Sequence, residues 1–186
     1  MLSRNMDLVS ALVVAVWVML PAYIPNNVAV LAGGGRPIDG GRTWRGKRLL
    51  GDGKTWRGTA AGVAAGAILA LVLNAVHPSV TGSIGIELPA FSPAVVIALP
   101  AGAMLGDVLA SFLKRRSGRE RGAAFPGLDQ LDFVVGALVL AAIVDWAWFT
   151  GAFTVLVIAI VLVITPVLHV STNAIAYAAG LKNEPW

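Results

Sequence analysis

Three aspartates are spaced as the ligands of a magnesium ion would be. Asp129 and Asp132 lie three residues apart and share one helix face, and Asp107 lies near the end of the preceding apolar stretch. An ionisable side chain within an apolar segment is costly and by default indicates function. Because Mg²⁺ binds carboxylates and accepts substrate phosphates, we expect Asp107, Asp129 and Asp132 to form a metal site for one ion or two.

Each aspartate also has a structural interpretation. Asp107 could pair with Lys114 or Arg115 farther along its helix, Asp129 could cap the next helix, and Asp132 could interact with the dipole of that helix. Two helices joined by one loop can lie side by side, so the three carboxylates can converge beside a basic segment. That convergence favours the metal interpretation.

A glycine-rich basic loop is the second candidate. Segment 26–57 carries seven Lys and Arg residues and eight glycines. Its sequence GDGKTWRG places Lys54 and Thr55 after two glycines, and glycine lets backbone N–H groups approach an anion closely. It is not a Walker A loop, because Arg48 stands where that motif requires its first glycine. We expect a phosphate-binding loop beside a membrane; the alternative is a flexible linker.

The elements that position these residues are apolar helices. Hydrophobic residues make up 57% of the 186-residue chain and charged residues 13%, with no cysteine. Such a composition excludes a small water-soluble domain, a disordered chain and any thiolate chemistry. The sequence therefore predicts an all-α integral membrane protein, and a turn near Trp148 splits its last apolar stretch. The five predicted transmembrane helices lie at about 8–24, 58–77, 93–113, 130–148 and 152–172.

The basic residues predict the orientation. Two segments, 26–57 and 114–128, hold 12 of the 14 Lys and Arg residues, and two predicted helices separate them. The positive-inside rule then makes them two polar cytoplasmic loops, with the N-terminus outside and the C-terminus in the cytoplasm. A cleaved signal peptide is disfavoured, because Asp7 precedes the first apolar stretch and no clear cleavage site follows it.

The second half of the chain resembles the CDP-diacylglycerol synthases. Their signature runs G-D-x-x-x-S-x-x-K-R, then a basic linker, then P-G-H-G-G-x-x-D-R-x-D. The matching residues here are Gly106, Asp107, Ser111, Lys114, Arg115, Pro126, Gly127, Asp129 and Asp132. The His-Gly-Gly segment is missing and Gln130 replaces the arginine. The first-loop run PIDGGRTWRGKRLLGDGKTWRG and the five helices are more similar to the archaeal branch of the family, the CDP-archaeol synthases.

This resemblance implies a Mg²⁺-dependent transferase of membrane phospholipid biosynthesis that joins CTP to a prenylated glycerol phosphate lipid. It implies a multi-pass protein of the cell membrane whose active site faces the cytoplasm. The metal-binding and catalytic residues would be Asp107, Asp129 and Asp132, with Lys114 as a further catalytic residue. By the resemblance, Ser111 and Arg115 would also belong to the nucleotide site. From their position and chemistry we expect the other residues that bind CTP and the lipid phosphate to be Asn26, Asn27, Arg42, Lys47, Lys54, Thr55, Arg57 and Gln130.

Other functions remain open. A CDP-diacylglycerol synthase acting on ester lipids, or another membrane phosphotransferase, would use the same residues. A small transporter or assembly subunit would instead place acids deeper in several helices. No nucleic acid partner is expected, and the sequence sets neither the lipid chain length nor the oligomeric state.

Overall fold

The computed structural model describes residues 6–118 and 127–178, which are mostly helical. Its elements in chain order are α1 (Leu8–Leu31), β1 (Thr43–Trp44), β2 (Lys47–Arg48), α2 (Trp56–Ile84), α3 (Pro93–Arg116), α4 (Leu128–Val144), α5 (Trp146–Ala152) and α6 (Val155–Ala178). Pro126 of the signature and the end of the chain lie outside the described residues.

Several of these helices are suited to a membrane. Among the described residues, α1, α2 and α3 are each long and apolar enough to cross a bilayer. Helices α5 and α6 pass the same test together, although they meet at a bend of 77°. The protein is therefore a multi-pass membrane protein with three or four candidate spans, and the five-helix topology stays a prediction.

Helix α1 extends farther than the sequence predicts. It was expected to end near Ile24, but it continues through Pro21 and Pro25 to Leu31. Proline is tolerated in membrane helices when neighbouring groups compensate for the lost backbone bond. The helix ends where glycines follow, and Gly34 adopts a φ of 86°, which is costly for other residues.

The break in the last apolar stretch is centred on Asp145 rather than on Trp148. Helix α4 ends at Val144, and Trp148 lies inside the short helix α5. Asp145 starts that helix by accepting a bond from Trp148 N at 2.9 Å. Its other oxygen accepts a bond from Ser92 Oγ at 2.7 Å, so the break is fixed to the start of α3.

Glycines bring α1 and α2 together. The contact row on α2 is Gly58, Gly62 and Gly66, all buried and four residues apart. A Cβ atom at Gly66 would lie 2.5 Å from both Pro21 O and Pro100 Cβ. Small residues allow this approach of backbones within a membrane, where close van der Waals packing holds helices together.

A second set of glycines joins α3 to α4. A Cβ atom at Gly106 would clash with Asp132 O, and one at Gly102 would lie 2.5 Å from Gly136 O. The two helices therefore cross in contact at Gly106, immediately before Asp107. This crossing brings the acidic part of α3 beside the first turns of α4.

The loop between α2 and α3 is fixed to the helices by side chains. Four consecutive carbonyl groups of this loop, those of residues 88–91, each accept a hydrogen bond from a helix side chain. His77 Nε2 donates to Leu88 O at 2.7 Å, and Trp17 Nε1 donates to Pro89 O at 2.9 Å. Trp148 Nε1 donates to Ala90 O at 2.6 Å, and Asn74 Nδ2 donates to Phe91 O at 2.8 Å. Because a carbonyl only accepts, His77 carries a proton on Nε2. This loop lies at the opposite end of α2 from Lys54.

Candidate active site

The basic loop between α1 and α2 is closed at its base and ordered within. Ile38 N donates to Lys54 O at 2.8 Å, and Trp56 N donates to Arg36 O at 3.2 Å. Strands β1 and β2 form an antiparallel hairpin inside this closed loop. Arg45 and Gly46 at its turn have φ values of 52° and 75°, the backbone that a two-residue hairpin turn requires. The loop is therefore a folded structure and not a flexible linker.

One carboxylate organises the interior of this loop. Asp39 is buried and accepts bonds from the backbone N–H groups of Gly41, Leu50 and Gly51 at 3.0, 3.0 and 3.1 Å. Arg48 donates to both of its oxygens, at 2.8 and 3.2 Å. The Arg48 guanidinium and these N–H groups hold the pKa of Asp39 well below its usual range. Sequence reasoning missed this residue.

Two ion pairs connect the loop, α3 and α4. Lys54 Nζ, from the loop, pairs with Asp107 on α3, and Lys114 Nζ, from α3, pairs with Asp129 on α4. All four side chains are half-buried, with 20–25% of their surface exposed. The interpretation that pairs Asp107 with Lys114 or Arg115 is wrong, because the partner of Asp107 is Lys54 from the loop.

Asp132 completes the cluster of acids. Its carboxylate accepts a bond from Phe133 N at 2.6 Å and lies within electrostatic range of Asp107, Lys114 and Lys54. Over residues 6–118 and 127–178, no three acidic or histidine side chains are arranged to enclose a metal ion. The structure thus brings the predicted acids and two lysines into one neighbourhood, and the three-carboxylate metal site stays a prediction.

Arg116 connects the hairpin to the end of α3. Its guanidinium donates to the carbonyls of Trp44, Lys47 and Arg48 at 2.8, 3.2 and 2.9 Å. It also lies over the Trp44 ring, 5.1 Å from the centroid, and that ring stacks on Phe112. The loop is therefore fixed to α3 at two places, here and at the Lys54–Asp107 pair.

Two of the residues predicted to bind substrate, Arg57 and Thr55, make structural hydrogen bonds. Arg57 donates to Ala32 O at 2.9 Å and also to Gly33 O, which satisfies carbonyls at the end of α1. Thr55 is buried and caps α2 by accepting a bond from Gly58 N at 3.1 Å. These contacts give Arg57 and Thr55 roles in positioning helix ends.

Gln130 and Asn27 also bond to backbone groups. Gln130 Oε1 accepts a bond from Gly127 N at 2.8 Å, so the Gln130 side chain bonds a backbone group at the start of α4. Asn27 Nδ2 donates to Tyr23 O at 3.3 Å within α1, and the side chain is exposed. Both contacts are local to the helix that carries the residue.

The remaining predicted residues lie on the basic loop or on the helices beside it. Asn26 Oδ1 is buried without a hydrogen-bond partner among the described residues, a costly state that a bound donor would relieve. Ser111 and Arg115 are half-buried on α3, and Arg42 and Lys47 are exposed on the loop.

A cleft of about 490 Å³ opens between the loop and α3. It combines guanidinium groups with apolar and aromatic walls, a composition suited to an anion that carries a flat or aliphatic part. Its lining residues include Arg36, Arg42, Ile38, Leu49, Trp56 and Phe112.

These features define a class of protein: a multi-pass membrane protein whose helices and one folded loop join acidic and basic side chains beside a basic cleft. The sequence matches, over residues 7–186, the family described as CarS-like: CDP-archaeol synthase. The chain belongs to this family, which confirms the resemblance inferred from its motifs.

Known proteins resemble the chain over nearly its whole length. The CDP-archaeol synthase of Haloarcula marismortui is 67% identical to it, over 97% of this chain and 100% of the relative. That of Methanococcoides burtonii is 47% identical, over 90% and 100%. A solved structure, reported as "Structural insight into an intramembrane enzyme for archaeal membrane lipids biosynthesis", matches with a TM-score of 0.67 at 36% identity. That match covers 86% of this chain and 92% of the other.

Proposed function

We propose that this protein transfers CMP from CTP to the phosphate of an archaeal prenylated glycerol lipid, giving CDP-archaeol and pyrophosphate. Membership of the CDP-archaeol synthase family supports this activity. The observation that carries it is the pair of Lys–Asp contacts, Lys54–Asp107 and Lys114–Asp129, which gather opposite charges from the loop, α3 and α4. Lysines beside acids suit a reaction in which one polyphosphate meets another phosphate.

The transfer needs positioning and charge neutralisation more than proton transfer. An oxygen of the lipid phosphate attacks the α-phosphorus of CTP and forms a new P–O bond. The bond from that phosphorus to the β-phosphate oxygen breaks, and pyrophosphate leaves with the electron pair. Because the nucleophile is already anionic, no general base is required.

We further propose Mg²⁺ as the cofactor. The donor set fits, because Mg²⁺ typically uses one or two carboxylates and completes its shell with water and substrate phosphates. Asp107, Asp129 and Asp132, on the crossing helices α3 and α4, would hold it. When bound, the ion would neutralise phosphate charge and polarise a phosphoryl oxygen.

The two lysines could serve phosphate groups as well as the acids. Lys54 and Lys114 pair with Asp107 and Asp129. If these carboxylates held a cation, the two ammonium groups would be available to phosphate oxygens, which lysine binds as a compact charge. Asn26 Oδ1 would accept a bond from a donor group of the ligand.

We propose the cytoplasmic side of the cell membrane for this chemistry, with five membrane crossings. Helix α4, with 17 residues, is at the short end of the range for a spanning helix. The concentration of basic residues in the two segments at this end supports the orientation. A reporter fused after Trp186 should be cytoplasmic, and an external reporter would contradict this topology.

The experiment that tests the activity is direct. Purified protein is incubated with labelled CTP, Mg²⁺ and either an unsaturated ether-lipid phosphate or an ester-lipid phosphate. We expect a labelled CDP-lipid from the ether lipid and release of pyrophosphate. Preference for the ester lipid would favour a CDP-diacylglycerol synthase. No product from either lipid would contradict the proposal and favour a transporter or assembly subunit.

A further inference from the structure

The basic loop is folded around a single side chain. The Asp39 side chain is 1% exposed, and its two oxygens accept all five of the bonds described above. The donors come from the turn after Asp39, from the hairpin and from the segment that returns toward α2. A carboxylate that accepts so many bonds fixes the relative positions of these three parts of the loop.

The same network reaches Lys54 through the backbone. Gly51, whose N–H donates to Asp39, accepts a bond at its carbonyl from Lys54 N at 3.3 Å. On the other side, Ile38, which precedes Asp39, donates to Lys54 O at 2.8 Å. Both backbone groups of Lys54 are therefore held by residues directly attached to the Asp39 network.

We infer that Asp39 is a positioning residue that pre-organises Lys54 for the phosphates of the nucleotide. This inference rests on the proposed function. Asp39 itself does not touch the reacting atoms, since its side chain is enclosed by loop amides and Arg48. A loop that is already folded binds its ligand without first having to become ordered, so Asp39 raises affinity and leaves the chemical step unchanged.

The substitution Asp39→Asn tests this inference, because it keeps the shape of the side chain and removes its charge. If the ordered loop then forms only about a tenth of the time, apparent affinity falls by the same factor. We expect KM for CTP to rise ~10-fold while kcat at saturation stays within about threefold. Binding of CTP would order the loop again in the variant.

Asp52→Asn is the matched control. Asp52 pairs with the other arm of Arg48 at 2.7 Å, but its side chain is 65% exposed. Loss of this exposed ion pair should leave KM unchanged, because such pairs contribute little to stability. Comparing the two variants separates the effect of losing a partner of Arg48 from the effect of losing the buried Asp39 carboxylate.

Trypsin provides a readout that does not depend on turnover. Cleavage after Arg42 or Lys47, located by mass spectrometry, requires local opening of the loop. Asp39→Asn should accelerate this cleavage ~10-fold, and CTP with Mg²⁺ should protect the loop in both proteins. The CTP concentration for half-maximal protection should be higher in the variant by the same factor as KM.

The two proposals fail in different ways. Absence of CDP-lipid from the wild-type protein would contradict the proposed function. The trypsin protection experiment would still test whether Asp39 orders the loop for CTP. Faster cleavage of Asp39→Asn at an unchanged CTP concentration for half-maximal protection would overturn the inference, because Asp39 would then affect only the stability of the loop. A lower kcat at constant KM for CTP would also overturn it. If Asp39→Asn does not fold, Arg48→Gln, which keeps the carboxylate and its amide donors, should show a smaller change in the same direction.

Discussion

Asp132 on α4 lies within electrostatic range of Asp107, Lys54 and Lys114, so removing its charge tests the chemistry. Asp132→Asn should reduce turnover by at least ~100-fold, the scale expected when an electrostatic group at the reacting phosphates is lost. The unfolding temperature should stay close to that of the wild type. Turnover is measured as labelled CDP-lipid, with Asp52→Asn as the control. Normal turnover of Asp132→Asn would remove this residue from the site.

The depressed pKa of Asp39 predicts how stability depends on pH. A carboxyl whose pKa is lower in the folded state stabilises the fold above the unfolded pKa of about 3.9, and this contribution is lost as the pH falls further. The difference in unfolding temperature between wild type and Asp39→Asn should be constant from about pH 7 to 5 and should shrink below about pH 4. A difference that grows toward acid would contradict the assignment.

At the residue scale, the sequence predicted that the three acids lie near one another but did not predict their lysine partners. The residue types and spacing of Asp107, Asp129 and Asp132 indicated one neighbourhood, because they belong to consecutive apolar segments. The partner of Asp107 is Lys54, which is 53 residues away in sequence, and no local pattern encodes that contact. Asp39 was missed because a buried loop acid is recognised only by the backbone amides that surround it.

At the scale of elements, the glycine row on α2 predicts that two alanine substitutions differ strongly in their effect on stability. Gly66→Ala should destabilise the protein by about 1–3 kcal/mol, because its Cβ would meet the Pro21 carbonyl and the Pro100 ring. Gly82→Ala, on the same helix, meets nothing within 4 Å and should leave stability equal or slightly higher. Thermal unfolding of both variants measures the difference, and equal losses would contradict this packing.

Helix existence was predictable from apolar runs, whereas helix ends were not. The apolar run predicts an end to α1 near Ile24, yet the helix continues to Leu31, and α2 packs against Pro21 and Pro25 through glycine. Trp148 suggests an interfacial turn, yet the turn forms at Asp145 because that side chain caps α5 and bonds Ser92. In both places a tertiary contact overrides the local signal.

At the scale of the whole molecule, the lysines predict how the protein responds to metal removal. A chelator should not lower the unfolding temperature of the wild type, because Lys54 and Lys114 neutralise Asp107 and Asp129. Lys54→Met leaves a half-buried carboxylate without this partner, so its unfolding temperature should fall by a few degrees in chelator and recover with Mg²⁺.

The exposed Lys47 offers the control for this prediction. Lys47→Met should show no such dependence on Mg²⁺ in the same thermal unfolding measurement. If Mg²⁺ fails to stabilise Lys54→Met, the carboxylates do not bind the ion in the absence of nucleotide, and the exchange of partners described for Lys54 is wrong.

The carbonyl groups from Leu88 to Phe91, held by four helix side chains, have a consequence for motion. These bonds join four elements at the end of the bundle that carries this loop: α1, α2, the start of α3 and the turn at α5. The elements cannot separate there without breaking several bonds at once. Opening of the bundle at that end is therefore opposed by all of these bonds together. Deuterium uptake should accordingly be slow at the amide of Phe91, whose N–H also donates to Asn74 Oδ1 at 2.8 Å.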